Sequence, residues 1–426
     1  MSFLWGVSAT AYQMEGAIAE DGKSPSVWDT FVHEPGRVID ETTGDVAADH
    51  YHRYGEDVAL MAELGVDVYS LSVAWTRVQP DGTGPANPAG IGFYDRLVDA
   101  LLAQGISPFV TLYHWDLPQS LEDRGGWLSR DTAYRYADYA ALVADTLGDR
   151  VGMWVTLNEP FVHTVFGYGL GMHAPGKMLL FEALPAAHHQ LLGHGLAVAA
   201  LRQRSRAPIT ITNHYSPIRV VGERDEDRAA AAFYDALHNR VCTDPLFGRG
   251  YPDGFDLPVR DGDLETIAAP LDAIGVDYYM PTGVSAPGDG DGLLPFDLVE
   301  LPGYEQTDFG WPVDPDGLRE VLMRLHREYA MPMYVMESGC AYADHPDDQR
   351  RIDYHAAHIG AVRAAQAQGA DVRGYFVWTL VDNFEWAEGF TKRFGLVHLD
   401  PDTLVRTPKR SFHWYREQIS NNRSVR

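Results

Sequence analysis

Short apolar runs alternate eight times with amphipathic stretches along the 426 residues, and no glycine-rich phosphate loop follows the first run. These observations predict an α/β fold of the (β/α)8 TIM-barrel type, because parallel strands covered on both faces read as nearly unbroken apolar runs. A doubly wound open sheet shares the local pattern, but the glycine fingerprint of its dinucleotide-binding form is missing. The expected strands are Phe3–Ala9, Val66–Trp75, Ile106–Tyr113, Met153–Asn158, Ile209–His214, Ala273–Tyr279, Met333–Glu337 and Arg373–Leu380. Ile91, Tyr94, Leu97, Val98, Leu101 and Leu102 form a helical stripe ended by Gly105. Tyr136, Tyr139, Ala140, Val143 and Leu147 form another, ended by Gly148, and Leu318, Val321, Leu322, Leu325 and Tyr329 a third. The Gly-, Asp- and Pro-rich stretch Ala286–Pro295 is expected to be a long loop after the sixth strand. With no repeat, low-complexity tract or linker, residues 1–426 are expected to form one domain.

Composition narrows the function. A formal net charge of −26 argues against nucleic acid or an anionic membrane as partner, since both require clustered Lys and Arg. Aromatic residues, with 22 Tyr and 10 Trp, suit sugar faces but equally suit a large core. Cys242 and Cys340 make neither a disulfide framework nor a paired-cysteine metal site. The opening Met-Ser-Phe-Leu-Trp-Gly lacks the basic-then-apolar order of a secretory signal, and no apolar run approaches bilayer length. A cytoplasmic location is the expectation.

In a barrel, reactive groups sit where strands end and βα loops begin. Those positions carry Gln13, His114, Asn158 with Glu159, Tyr279, Glu337, and Trp378 followed by Glu385 and Trp386. Cleaving a glycosidic bond takes two carboxyl groups, one to protonate the leaving oxygen and one to attack C1 or activate water. The ends of strands four and seven face each other across a barrel mouth, so Glu159 and Glu337 are placed to form such a pair. Each residue also has a plainer reading. Glu159, held out of helical geometry by Pro160, suits a helix cap; His114 suits a hydrogen-bonded core histidine. Trp378, Glu385 and Trp386 suit packing beside a solvated carboxylate. His188, His189 and His194 have near-helical spacing but no carboxylate at zinc-motif distance, which favours structural roles.

Longer motifs decide between these readings. Thr156-Leu157-Asn158-Glu159-Pro160 resembles the acid/base motif of glycoside hydrolase family 1, the β-glucosidase family, and Tyr334-Val335-Met336-Glu337-Ser338-Gly339 resembles its nucleophile motif. The N-terminal segment from Phe3 to Gly16 is similar to the family's opening signature. His114-Trp115-Asp116-Leu117-Pro118, His173-Ala174-Pro175-Gly176, the segment Trp378 to Trp386, Arg393-Phe394-Gly395 and Pro408-Lys409-Arg410-Ser411 match in family order. The resemblance implies a retaining, exo-acting β-glycosidase that works by double displacement, without metal or cofactor. Its substrate would be a small-molecule β-glycoside. Gln13, His114, Asn158 and Glu385 would bind the sugar hydroxyls, Trp378 would form the stacking floor, and Trp386 would meet the sugar edge. Tyr279 would donate to the nucleophile, and Trp311 would lie on the aglycone side. Glu385 would repel a 6-phosphate, and Glu159, where thioglucosidases of the family carry Gln, implies cleavage of O-glycosides.

Three places depart from the family's pattern. Ser70 stands where the family carries an Arg beside the nucleophile, Asp277 where it carries an Asn, and Met336 and Ser338 flank the nucleophile in place of Thr and Asn. Losing a positive charge and gaining a negative one is expected to raise the Glu337 pKa. Another Arg or Lys entering the site, a narrowed glycosidase with an unusual glycone, or a carbohydrate-binding pseudoenzyme would each fit. Transglycosylation is a further possibility that the sequence leaves open.

Overall fold

A computed structural model describes residues 3–288, 293–343 and 347–424 of the protein. Eight parallel strands close into a barrel: β1 (Leu4–Ser8), β2 (Val68–Ser72), β3 (Ser107–Thr111), β4 (Met153–Asn158), β5 (Ile209–His214), β6 (Ile274–Asp277), β7 (Met333–Ser338) and β8 (Val372–Trp378). Each pairs with its neighbours in chain order, and β8 closes on β1 with Leu4 opposite Gly374 and Ser8 opposite Trp378. Around them run the helices α1 (His50–Leu64), α2 (Pro88–Ala103), α3 (Asp131–Leu147), α4 (Leu184–Arg202), α5 (Asp225–Asp235), α6 (Pro315–Tyr329), α7 (Gln349–Ala367) and α8 (Arg410–Ser424).

All eight expected strands are present, but several are shorter than their apolar runs. β2 stops at Ser72, and Trp75 already opens a short helix; beyond the ladder the Ala74 N–H donates to the Tyr94 hydroxyl at 2.7 Å. The run continues because the βα loops are themselves buried, and apolarity reports burial rather than pairing. Short strands outside the barrel were not anticipated. Ile218–Val220, Thr282–Ser285 and Asp297–Val299 form a three-stranded sheet, and Val397–Leu399 pairs with Arg406–Pro408. The loop expected at Ala286–Pro295 does follow β6, with its residues 289–292 outside the described ones.

The helical stripes are sound with two corrections. Leu101 is fully buried, whereas Leu102 is 40% exposed, because one residue along a helix turns the side chain about 100° away from the core. Gly105 has the left-handed φ of 73° expected of a helix stop, but Gly148 has φ −62°. Gly148 is instead a point of close approach, since a Cβ there would lie 2.5 Å from the Ala144 carbonyl oxygen. In α6 the start follows from chemistry: Asp314 accepts from the Gly317 N–H at 3.0 Å, Pro315 sits where no donor is needed, and Leu318, Leu322 and Leu325 face inward.

The barrel interior is filled by Leu4, Val68, Phe109, Met153, Val155, Ala273, Tyr334, Met336 and Phe376. Phe376 meets Phe109 edge-on at 5.6 Å between centroids. Gly6 leaves the room this ring needs, as a Cβ there would come 2.5 Å from it. α4 is buried nearly all round, so its polar residues need partners. His188 contacts Asp263 at 3.0 Å, His189 the Trp127 carbonyl at 2.9 Å and His194 the Thr156 hydroxyl at 2.7 Å. The three rings thus bond to separate partners, in agreement with structural roles. No helix among the described residues is long and apolar enough to cross a membrane.

Candidate active site

The C-terminal ends of the strands gather the polar residues expected there into a cavity of about 400 Å³. Two ladder irregularities aim its key side chains. Pairing of β4 with β5 shifts register between Val155 and Asn158, and pairing of β7 with β6 shifts between Val335 and Glu337. Such bulges break the strict alternation of faces and re-aim a side chain. Glu159 follows with a left-handed φ of 46°. It holds the N-cap position of the short helix Pro160–Val162, yet its side chain makes no capping bond. The helix-cap reading therefore fails, and a strained non-glycine backbone, worth about 1–2 kcal/mol, is held at the mouth. Trp115 and Trp386 share this feature, with φ 75° and 50°.

One carboxylate oxygen each from Glu159, Asp277 and Glu337 lies within 4.8 Å of the other two. The Tyr279 hydroxyl donates to Glu337 Oε2 at 2.8 Å. Gln13 Nε2 donates to Glu385 Oε2 at 3.2 Å, and Asn158 Nδ2 to His114 Nε2 at 3.2 Å. His114, Trp378, Glu385 and Trp386 line the cavity with the two glutamates, while Gln13 and Asn158 sit behind their partners. Trp386 is wedged against Trp28 and Trp115, with centroids at 4.5 and 4.7 Å. Trp311 stacks on Phe309 at 4.1 Å and meets Tyr279 at 5.3 Å. Phe161, Phe166, Met172 and Phe309, which the sequence did not single out, complete an apolar wall with these two expected tryptophans. Also missed was His214, which stacks on Tyr279 at 6.0 Å and contacts His238 at 2.8 Å. It ends β5, so the strand-end rule applied to the other strands would have found it.

No Lys or Arg lines the cavity among the described residues. Burial pushes Glu159 up to about 8, an effect opposed by its hydrogen bond to Asp277 and reinforced by Glu385. Burial also raises Glu337, with the Glu159 charge adding and the Tyr279 bond opposing. The upward shift expected from the altered charges is present, but burial is its largest cause. The expectation of a substitute Arg or Lys is not met among the described residues: Glu337 has no ion-pair partner there, and the fully buried Arg77 is taken by Glu15 at 2.9 Å. Burial raises Glu385 to about 8 and lowers His114 to about 3, leaving His114 a neutral ring. Cys340 is buried with its thiol pushed up to about 12, so it is an unreactive core thiol. The three-carboxylate cluster is made of hard oxygen donors that suit a cation such as calcium or magnesium, although it offers only three of the six or more ligands such ions take.

Residues 1–424 match the family model described as glycosyl hydrolase family 1. The chain belongs to that family. A thermostable β-glucosidase B of Thermobispora bispora is 46% identical, covering 99% of this chain and 90% of its own length. The structure of the AHE enzyme from Alicyclobacillus herbarius superposes with a TM-score of 0.95 at 44% identity, covering 98% of both chains. A β-glucosidase from Thermotoga maritima in complex with glucoimidazole gives a TM-score of 0.95 at 39% identity, covering 99% of this chain and 98% of that one. The (β/α)8 barrel and the family resemblance carried by the motifs both hold over the whole chain.

Proposed function

We propose that this family-1 chain is a cytoplasmic, exo-acting retaining β-glycosidase that hydrolyses β-glucosides, the whole chain serving as one catalytic domain. The approach of Glu159 and Glu337 to within 4.8 Å carries the reading. Retaining pairs stand about 5–5.5 Å apart, whereas inverting pairs leave roughly 6.5–9.5 Å for a water molecule. Glu159, kept protonated at neutral pH by burial, gives its proton to the glycosidic oxygen as Glu337 attacks C1. The aglycone leaves, and water then enters, gives a proton back to Glu159 and releases the sugar from Glu337.

The surroundings serve the same sequence of steps. The Tyr279 bond favours the ionised form of Glu337 against its burial. With no Lys or Arg among the described lining residues, the positive charge that develops on the sugar ring is the natural counterion of Glu337 in the transition state. Glu385 and His114, backed by Gln13 and Asn158, supply directional partners for hydroxyls, and Trp378 offers a flat face to the ring. A phosphorylated sugar would find no Lys or Arg partner among the described lining residues. Cys242 and Cys340 are both buried free thiols rather than a disulfide, which agrees with the cytoplasm.

The pseudoenzyme reading loses ground, since both carboxyl groups face one cavity and one of them is held protonated. Aryl β-glucosides are expected to turn over, and Glu337→Gly is expected to abolish this. Azide should then restore activity and yield a glycosyl azide of inverted configuration. Unimpaired hydrolysis by that variant would reassign the nucleophile.

A further inference from the structure

Asp277 ends β6 directly opposite Glu337 on β7 and His214 on β5, and its side chain is fully buried. By strand alternation it points inward, two pleats beyond Ala273 of the interior cluster. Neither of its carboxyl oxygens meets an N–H or hydroxyl donor among the described residues, and one Glu159 oxygen is likewise without one. Carboxyl oxygens of the two groups nevertheless come within 4.8 Å of each other, both side chains being buried, and two carboxyls this close in a buried site favour a proton on one of them, which it can then donate to the other. The groups facing Asp277 are Glu159 just past β4, His214 from β5, Tyr279 just past its own strand and Glu337 from β7. His214 is driven to about 4 by burial and so is neutral, and the Tyr279 proton is given to Glu337. On β2, Ser70 pairs in register with the inward-facing Phe109 and is buried, and it carries no charge. Among the described residues no positive charge faces Asp277 to hold it ionised.

Resting on the glycosidase reading, we propose that Asp277 is a neutral carboxylic acid that donates its proton to Glu159 throughout the reaction, as a positioning residue for the acid/base group. Were Asp277 ionised, the one proton of Glu159 would be spent on Asp277 and turned away from the substrate. With Asp277 protonated, its O–H satisfies one Glu159 oxygen, and the Glu159 O–H is free to meet the glycosidic oxygen. When that proton passes to the aglycone, the new Glu159 carboxylate accepts from Asp277, a stronger charge-assisted bond. Water then restores the Glu159 proton, and the Asp277 proton never leaves. Burial and the facing glutamates hold Asp277 well above the usual carboxylate range, while the same bond pulls Glu159 down, which agrees in direction. A neutral acid kept as a donor by an apolar site has precedent in other enzymes.

Asp277→Asn keeps the shape but donates more weakly to ionised Glu159. Glu159 should then hold its proton to higher pH, moving the alkaline limb of kcat/KM upward by about one unit, or about tenfold at a fixed alkaline pH. The acidic limb, set by Glu337, should stay in place. An ionised Asp277 predicts the reverse, because removing a negative charge would lower both limbs, and that result would overturn the assignment. The infrared difference spectrum between the protein and Asp277→Asn at neutral pH should show loss of an acid carbonyl band; loss of a carboxylate band would overturn the proposal. So would disappearance of the acid band on adding calcium ions, which would mark a cation site. The infrared measurement needs no turnover, so it separates failure of this assignment from failure of the glycosidase reading.

Discussion

At the scale of single residues, the chemistry depends on how protons are held in a cavity with no Lys or Arg among its described lining residues. Tyr279 is the donor that offsets the burial of Glu337. Tyr279→Phe should therefore raise the Glu337 pKa and move the acidic limb of kcat/KM upward. Losing a hydrogen bond to a charged group costs about 1.5–3 kcal/mol, so kcat/KM near neutral pH should fall about 10–100-fold. A pH–rate profile of the variant checks both. An unmoved acidic limb would assign the ionisation to another group. Glu159 and Glu337 were legible in the sequence because both lie in motifs at strand ends. The contact between Glu159 and Asp277 was not, because adjacency across neighbouring strands depends on register and bulges, which a linear pattern does not encode. Part of the apolar wall escaped for a similar reason: Phe166 lies in the π-helical turn His163–Gly169 and Met172 in the loop after it, and neither follows the 3.6-residue period.

Among the elements, all eight strands could be read from apolar runs, whereas their ends could not, since the loops that carry chemistry are buried as deeply as the ladder. Glycine placement is the fine adjustment. Gly6 on β1 yields to the Phe376 ring on β8, and Gly374 to Tyr334 on β7. Gly6→Ala should cost about 1–3 kcal/mol through overpacking, and Phe376→Ala about 3–5 kcal/mol through the cavity it leaves. Because the two sites touch, combining Gly6→Ala with Phe376→Leu should recover part of the loss. Urea midpoints of the single and double variants measure this coupling; strictly additive losses would mean that the ring relaxes freely away from position 6.

Over the whole molecule, the site makes stability depend on pH. Glu159 and Glu385 bind their protons more tightly folded, at about 8, than their ordinary value of 4.5. Groups raised in this way stabilise the fold fully at low pH and lose that contribution as pH climbs toward the folded value. The urea midpoint should thus decline between about pH 5 and about pH 8. Glu385→Gln should flatten this slope and add on the order of 1–2 kcal/mol at the alkaline end, while weakening sugar binding. A variant with the same slope as the parent protein would place the penalty elsewhere. The fold thus bears a cost for its catalytic mouth, with buried carboxyls grouped where a stability-driven sequence would place apolar residues.

Proton NMR of the sugar first released from an aryl β-glucoside reads the geometry of the two glutamates most directly. A β-anomer appearing first and mutarotating later is the expected outcome of two displacements across the close Glu159–Glu337 pair. An α-anomer appearing first would mean a single displacement by water and would contradict the account.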